Sequence, residues 1–183
     1  MMKPVLVVGT GLAGVGKTTY FLQLHKDLPN STYLDKDIIN NIFLGEYGHD
    51  SDFYRKHVKF QSYQLLLALT RQNLKPEHIV IVDGYFGGKL ELLKIDEIDP
   101  TASLRLIYFK ASADYIWKKL NARNSFRDKE KIQTKEDFLY YFEKDQEMHE
   151  KELSKFEHLV INAESDFNEN FEKMKKYILE GIK

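Results

Sequence analysis

A cluster of glycines directly after the first apolar run constrains this chain more than any other sequence feature. The apolar run is Val5–Val8, and the glycines that fall within the next eight residues are Gly9, Gly11, Gly14 and Gly16. Glycine adopts backbone conformations that other residues avoid, so such a cluster indicates a tightly turned loop. The pattern that follows from Lys17 predicts a helix. We therefore expect a strand, a glycine-rich loop and a helix in immediate succession.

The loop residues match a known phosphate-binding pattern. From Gly11 to Thr18 the sequence reads GLAGVGKT, with two glycines five positions apart followed by Lys and Thr. The N–H groups of such a loop, and those at the start of the following helix, point at phosphate oxygens. In this pattern Lys17 contacts the β- and γ-phosphates, and the Thr18 hydroxyl binds Mg²⁺. The other residues predicted to bind the nucleotide here are Leu12, Ala13, Gly14, Val15, Gly16 and Thr19.

A second glycine pattern overlaps the first. Gly9 to Gly14 also satisfy the fingerprint of dinucleotide-binding folds, and Asp35 lies at a suitable distance downstream to bind a ribose. A nicotinamide site has no use for Lys17 and Thr18, and 183 residues leave little room for two nucleotide-binding halves and a substrate region. The sequence favours the phosphate-binding interpretation, with a dinucleotide oxidoreductase as an alternative.

Apolar runs separated by helical patterns predict an α/β fold. The runs lack the alternation of half-exposed strands, and they lie at 5–8, 33–34, 79–82, 104–109 and 159–161. The helical patterns lie at 17–28, 52–73, 113–121, 135–156 and 168–179. Strands separated by helices form parallel crossovers, and the ligands of such sheets gather at the carboxyl ends of the strands. Thr134 with Asp137, and Asp166 with Glu169, look like helix-capping pairs.

Length and composition narrow the class of protein further. A chain of 183 residues without a convincing linker has the size of one domain, which we expect to span residues 1–183. The net charge of −1 lacks the positive field typical of nucleic-acid binding. The absence of cysteine excludes disulfides and thiolate metal sites. The first apolar run is too short for a membrane span and unlike a signal peptide. We therefore expect a cytoplasmic protein without nucleic-acid or membrane partners.

Carboxylates follow two of the predicted strands at the end where ligands gather. Asp35 and Asp37 follow the short second strand, and we expect them to share a face because strand residues two apart do so. A phosphoryl transferase needs one carboxylate to orient or deprotonate the attacking hydroxyl, and often another on the metal side. Asp83 ends the third apolar run and could support Mg²⁺. The simpler alternatives are that Asp37 caps a helix and that Asp83 forms a turn with Gly84.

Two arginines lie in a charged segment, residues 123–135, that lacks apolar periodicity. Arg123 and Arg127 could close over a nucleotide and neutralise the charge that develops on a transferred phosphoryl group. This segment is predicted to form a lid, and the simpler alternative is a solvated loop.

The motifs GLAGVGKTT, LDKD, VIVDGYF and RNSFRD together make the chain resemble the small P-loop kinases of the AAA-like ATP-binding family. These kinases are related to polynucleotide 5′-hydroxyl kinase domains, shikimate kinase and zeta-type toxin kinases. The resemblance implies a three-layer α/β/α fold with a five-stranded parallel sheet, a phosphate loop and a lid. It also implies that Asp37 faces the acceptor hydroxyl, that Asp35 assists the metal and that Arg127 belongs to the lid. Many such kinases have Arg where this chain has Asn40, so the resemblance names no particular acceptor.

These observations lead us to expect an ATP- and Mg²⁺-dependent kinase whose acceptor is a hydroxyl of a small molecule. The predicted catalytic residues are Lys17, Asp37 and Arg127, with Arg123 at the nucleotide. The predicted metal-side residues are Thr18, Asp35 and Asp83. The alternative is an ATP-hydrolysing switch or a nucleotide-binding module without an organic acceptor. No Asn-Lys-x-Asp signature of guanine binding is present, which favours ATP over GTP.

Overall fold

The computed structural model describes residues 3–47, 57, 59–87, 90, 101–122 and 134–180. The strands of this part of the chain are β1 Val5–Thr10, β2 Ser31–Asp35, β3 Ile79–Asp83, β4 Ser103–Lys110 and β5 His158–Asn162. Its helices are α1 Lys17–Asp27, α2 Lys36–Tyr47, α3 Lys59–Asn73, α4 Ala113–Ala122, α5 Lys135–Leu153 and α6 Phe167–Leu179. Strands and helices alternate for most of this length, as the apolar runs predicted.

The five strands form one parallel sheet with the order β2-β3-β1-β4-β5. The prediction of a five-stranded parallel α/β sheet is confirmed. The strand order also bears on the dinucleotide alternative, because in that fold the second strand lies beside the first. Here β3 separates β2 from β1, so the topology argues against a dinucleotide-binding fold.

Helices cover both faces of the sheet, and β1 shows why. Val5 and Val7 are buried in one core with apolar side chains of α1, α4 and α6. Leu6 and Val8 are buried in a second core with side chains of α2 and α3. A strand whose every residue is buried needs a helical layer on each side. The predicted three-layer α/β/α arrangement is therefore confirmed.

Helix α5 belongs to both cores. Phe138, near its start, is buried in the core shared with α1, α4 and α6, whereas Leu153, at its end, is buried in the core shared with α3. Between these two residues His149 lies within hydrogen-bond distance of Thr10, the last residue of β1. The helix thus passes the carboxyl edge of the sheet on its way from one face to the other.

Two predicted helix starts are confirmed in detail. The Thr134 side chain accepts a hydrogen bond from the backbone N–H of Asp137, and the Asp166 side chain accepts one from the N–H of Glu169. Helix α5 ends at Leu153, three residues before the approximate end predicted from the sequence, and a turn at 154–155 and a bend at 156 follow it. Within the described ranges, no helix has both the length and the apolar composition needed to cross a bilayer.

Candidate active site

The glycine-rich loop turns between β1 and α1 at the carboxyl edge of the sheet. Gly11, Gly14 and Gly16 have φ values of 135°, 89° and 101°. A Cβ atom at Gly11 would lie 2.3 Å from the backbone oxygen of Phe109, so only glycine fits this close approach. A Cβ atom at Gly16 would meet no other atom within 4 Å. The loop is therefore closely packed at its start and open at the helix, where an anion could lie.

Helix α1 begins without a side-chain cap. Its N-cap is Gly16, no side chain accepts a hydrogen bond there, and the first turn carries no acidic residue. Helices α2, α4, α5 and α6 each have an acidic residue in the first turn. An uncapped helix start without a carboxylate leaves N–H groups and the positive end of the dipole facing the loop. The loop and the helix together fit the phosphates of a nucleotide.

Lys17 lies against the loop rather than in solvent. Lys17 is only 9% exposed. Its Nζ donates hydrogen bonds to the carbonyl oxygens of Gly11 at 2.7 Å and Leu12 at 3.1 Å. These bonds hold the ammonium group over the backbone that would contact phosphates. A positive charge so placed suits the phosphate-binding role predicted for this lysine.

Thr18, Asp83 and Asp35 meet at the edge of the sheet through a residue that sequence reasoning missed. The Thr18 hydroxyl donates to Asp83 Oδ2 at 2.7 Å. The Tyr33 hydroxyl lies 3.0 Å from the same Asp83 oxygen and 3.2 Å from Asp35 Oδ2, so it can donate to both carboxylates. The pairing of β2 with β3 places Asp35 opposite Asp83. The structure therefore brings together all three residues predicted for the metal side.

Burial and charge set the protonation of this cluster. Burial raises the pKa of the Asp83 carboxyl above its ordinary value, and the Asp35 charge adds to the rise. The Lys17 charge and the hydrogen bonds from Thr18 and Tyr33 oppose it. Burial, followed by the charges of Asp83 and Asp35, raises the pKa of Tyr33. Tyr33 consequently keeps its proton and remains a hydrogen-bond donor to the carboxylates.

The donor set of this cluster suits magnesium. Hydroxyl and carboxylate oxygens are the ligands that Mg²⁺ prefers, and protein sites usually hold it by one or two carboxylates together with substrate phosphates. Thr18, Asp83 and Asp35 supply such oxygens beside the glycine-rich loop. Within the residues described, no group of three or more His, Asp and Glu side chains is arranged to hold a metal.

The expected relation between Asp35 and Asp37 is wrong. Strand β2 ends at Asp35 and α2 begins at Lys36, so Asp37 lies in the first turn of a helix and shares no strand face with Asp35. The reason is a capping bond: Asp35 Oδ1 accepts hydrogen bonds from the N–H groups of Asp37 at 2.7 Å and Ile38 at 3.3 Å. Aspartate is a strongly preferred N-cap residue. The helix cap that we considered for Asp37 is thus supplied by Asp35.

Asp37 differs from the metal-side carboxylates in its exposure. Its side chain is 63% exposed, and its Oδ1 lies 3.9 Å from the Nζ of the buried Lys36. The Lys36 ammonium also lies 5.0 Å from the centre of the Tyr63 ring. Asn40, one turn further along α2, is 2% exposed. Asp37 is therefore open to a molecule arriving from solution, within two residues of the metal-side cluster.

The predicted lid falls largely outside the described residues. Residues 123–133, which include Arg123 and Arg127, lie outside the described part of the chain. The last two residues of the predicted lid belong to the start of α5, where Thr134 caps the helix and Lys135 forms an ion pair with Asp114 of α4 at 2.8 Å. This end of the predicted segment is therefore held against the core helices, and the lid itself stays a prediction.

A largely buried polar cluster next to the glycine-rich loop was also missed. It consists of Thr10, Tyr85, Asp145 and His149. Sequence reasoning could have found one pair, because Asp145 and His149 are four residues apart and so share a face of the predicted helix. Tyr33 had a similar signal, because it lies two residues before Asp35 on one strand. Their contacts with distant strands depend on the sheet register, which the sequence patterns did not predict.

Comparisons with known proteins show the fold. No protein-family model matches the sequence, and no curated protein matches it. A structure from Chloroflexus aurantiacus, provisionally assigned as a kinase, superposes with a TM-score of 0.70 at 18% identity and covers 99% of each chain. Shikimate kinase from Bacteroides thetaiotaomicron gives 0.65 at 16%, covering 96% of this chain and 97% of that chain. Deoxyadenosine kinase from M. mycoides, with bound dCTP, gives 0.60 at 15%, covering 94% and 97%. The chain therefore has the fold of small P-loop kinases.

Proposed function

We propose that this protein is an ATP- and Mg²⁺-dependent kinase that transfers a γ-phosphoryl group to a hydroxyl of a small molecule. The observation that carries the proposal is the hydrogen bond from Thr18 to Asp83 beside an uncapped, glycine-turned loop. This hydrogen bond joins the loop that would bind phosphates to the carboxylate that would lie beside their metal ion. The kinase fold of the structural neighbours supports the same function.

On the nucleotide side, each residue has a role that follows from its chemistry. The N–H groups of the loop and of the first turn of α1 bind phosphate oxygens, and Lys17 reaches the β- and γ-phosphates. Thr18 would hold Mg²⁺, with the Asp83 and Asp35 carboxylates beside it. A bound Mg²⁺ would supply positive charge that offsets the negative charge of the phosphates during transfer.

On the acceptor side, Asp37 orients the attacking hydroxyl and accepts its proton. Its exposed carboxylate suits a group that must meet a diffusing substrate. Arg123 and Arg127 would supply positive charge to the transferred group from the lid. We expect a non-hydrolysable MgATP analogue to slow amide hydrogen exchange across residues 123–133 as the lid closes. Equal exchange with and without the analogue would remove the lid from the proposal.

The acceptor is a small hydroxyl compound whose identity the fold leaves open. The names of two structural neighbours refer to different acceptors, shikimate and deoxyadenosine. One fold therefore serves acceptors of different chemistry, and the acceptor of this chain must be found by experiment.

The test is to measure ATP consumption and product phosphorylation together, with and without a panel of acceptors. The panel comprises sugars, nucleosides, antibiotics and 5′-hydroxyl oligonucleotides, and the Lys17→Ala variant serves as the blank. Consumption that rises with one acceptor, matched by phosphorylation of that acceptor, supports the kinase. Consumption that is independent of every acceptor favours an ATP-hydrolysing switch, and binding of NAD instead of ATP would favour an oxidoreductase.

A further inference from the structure

Helix α5 places two ionisable side chains in the protein interior, next to the phosphate loop. His149 is 0% exposed and Asp145 is 1% exposed. The His149 Nδ1 lies 3.0 Å from Asp145 Oδ2 and 3.0 Å from the Asp145 backbone oxygen. Burying such groups costs stability unless every polar atom finds a partner. An apolar pair would fill the same space without that cost, so the polar pair needs a reason.

The partners of this pair come from two segments of the candidate active site. The Tyr85 hydroxyl donates a hydrogen bond to Asp145 Oδ1 at 2.5 Å. On the other side, the His149 Nε2 lies 2.9 Å from the Thr10 hydroxyl oxygen. That same oxygen accepts a hydrogen bond from the N–H of Phe86 at 3.2 Å. The bonds form a continuous chain from the loop after β3, through α5, to the end of β1.

The geometry also fixes the donor role of His149 Nδ1. Both neighbours of His149 Nδ1 are acceptor oxygens, so Nδ1 carries a hydrogen and donates it. The Thr10 oxygen already receives the Phe86 N–H, and its own hydrogen can be donated to His149 Nε2. Every group in the chain then has a partner.

The imidazole of His149 is held in place from several sides. The Tyr108 ring of β4 stacks on it with centroids 5.1 Å apart, and the Tyr85 ring meets it edge-on at 5.7 Å. A Cβ atom at Gly87 would lie 2.8 Å from His149 Cε1. The ring therefore has little freedom to change its orientation, and a shift of α5 would have to move Thr10 as well.

The elements joined by this chain carry different parts of the site. Thr10 directly precedes the phosphate loop, and Tyr85 follows Asp83 by two residues. We propose that Asp145 and His149 are positioning residues for phosphoryl transfer, which hold the end of β1 and the loop after β3 in place through α5. This inference rests on the proposed kinase function.

The first test measures amide hydrogen exchange in the full chain, with and without a non-hydrolysable MgATP analogue. In the unmodified protein we expect the analogue to slow exchange both in the loop, residues 11–19, and in residues 135–149 of α5. In His149→Phe we expect slowing in the loop alone. Equal slowing of α5 in both proteins would overturn the positioning role while leaving nucleotide binding intact. No slowing in the loop of the unmodified protein would overturn the proposed function, and the positioning role with it.

The second test compares turnover among variants of the same bond. Thr10→Val and His149→Phe should each lower turnover by about 10- to 100-fold, because a small misplacement of reacting groups has effects of that order. ATP affinity should change less. If the two residues act through one hydrogen bond, the double variant is no slower than the slower single variant. His149→Gln should recover part of the turnover, because its amide oxygen can accept from Thr10. Additive losses, or no recovery, would contradict the inference.

A matched control lies at the opposite edge of the sheet. His78 directly precedes β3, and its Nε2 lies 2.8 Å from the hydroxyl of Thr32, the second residue of β2. His78→Phe thus removes the same kind of bond far from the phosphate loop, and we expect it to leave turnover unchanged. An equal loss in His78→Phe would show that any such bond affects turnover through stability alone. Should His149→Phe fail to fold, Thr10→Val, which keeps the side-chain shape, tests the same link.

Discussion

The proposed nucleotide side and the proposed acceptor side of the candidate site are built in different ways. On the nucleotide side Lys17 and Asp83 are buried and hydrogen-bonded to the loop and to its neighbours. On the acceptor side Asp37 presents a carboxylate that is 63% exposed, from the first turn of α2. Buried, hydrogen-bonded groups such as Lys17 and Asp83 can bind charge without reorganising. The exposed Asp37 carboxylate would be positioned only when a substrate binds. We therefore expect damage to the two sides to have separable effects.

Removing the charge on the proposed nucleotide side should have a large effect on turnover. Lys17→Ala should lower turnover by at least about 100- to 1,000-fold, the scale found when a group that stabilises transition-state charge is lost. It should also weaken ATP binding while leaving the protein folded. ATP titrations and thermal melts check this, with the exposed Lys26 of the same helix mutated to Ala as a control. Unchanged ATP affinity with a large loss of stability would show that Lys17 is structural.

Asp35 connects the two sides, and two substitutions can separate its roles. Asp35→Ala removes the cap of α2 and should lower the free energy of unfolding by about 1 kcal/mol. Asp35→Asn keeps an oxygen for the cap, so it should preserve stability while raising the Mg²⁺ concentration needed for turnover. Urea unfolding and Mg²⁺ titrations measure the two effects. Equal losses of stability in both variants would contradict the capping role.

The smallest expected effect is a pH dependence of stability. Because burial raises the pKa of Asp83 above its ordinary 3.8, the folded protein binds this proton more tightly than the unfolded chain. The stabilisation is present in acid and is lost as pH rises through the folded pKa. Asp83→Asn lacks this loss, so its free energy of unfolding should rise relative to the unmodified protein as pH increases from about 3.8.

Asp27 provides a control of opposite sign. Its hydrogen bond and ion pair with Lys175 lower its pKa, so its stabilisation is present above the unfolded pKa and is lost as pH falls. Asp27→Asn should therefore become less stable relative to the unmodified protein as pH increases. Urea unfolding at several pH values measures both variants, and trends of the same sign would contradict the burial of the Asp83 charge.

The contrast between the two sides also explains which features were predictable from sequence. The glycine-rich loop, its flanking strand and helix, and the Thr134 cap follow from local patterns, because the interacting groups lie within a few residues. The position of Asp37 was mispredicted by a similarly local effect, the preference of Asp35 for capping. Apolar runs mark strands but do not mark which carboxylate starts the next helix.

The residues that were missed depend on contacts between distant segments. Tyr33 reaches Asp83 across 50 residues, and His149 reaches Thr10 across 139. Periodicity predicted that α5 is a helix, but a helix can pack in many registers. The register is set by the sheet order and by the way α5 passes the carboxyl edge, which only the assembled fold provides.

The most direct test of the separation between the two sides is Asp37→Asn, with MgATP affinity and acceptor phosphorylation measured on the same protein. Asp114→Asn, which alters an exposed acid in the first turn of α4, is the matched control. We expect unchanged MgATP affinity and a fall in phosphorylation of about 10²- to 10⁴-fold, toward the lower end if the transition state is loose. Full phosphorylation by Asp37→Asn, or a loss of MgATP affinity as large as the loss of phosphorylation, would contradict this expectation.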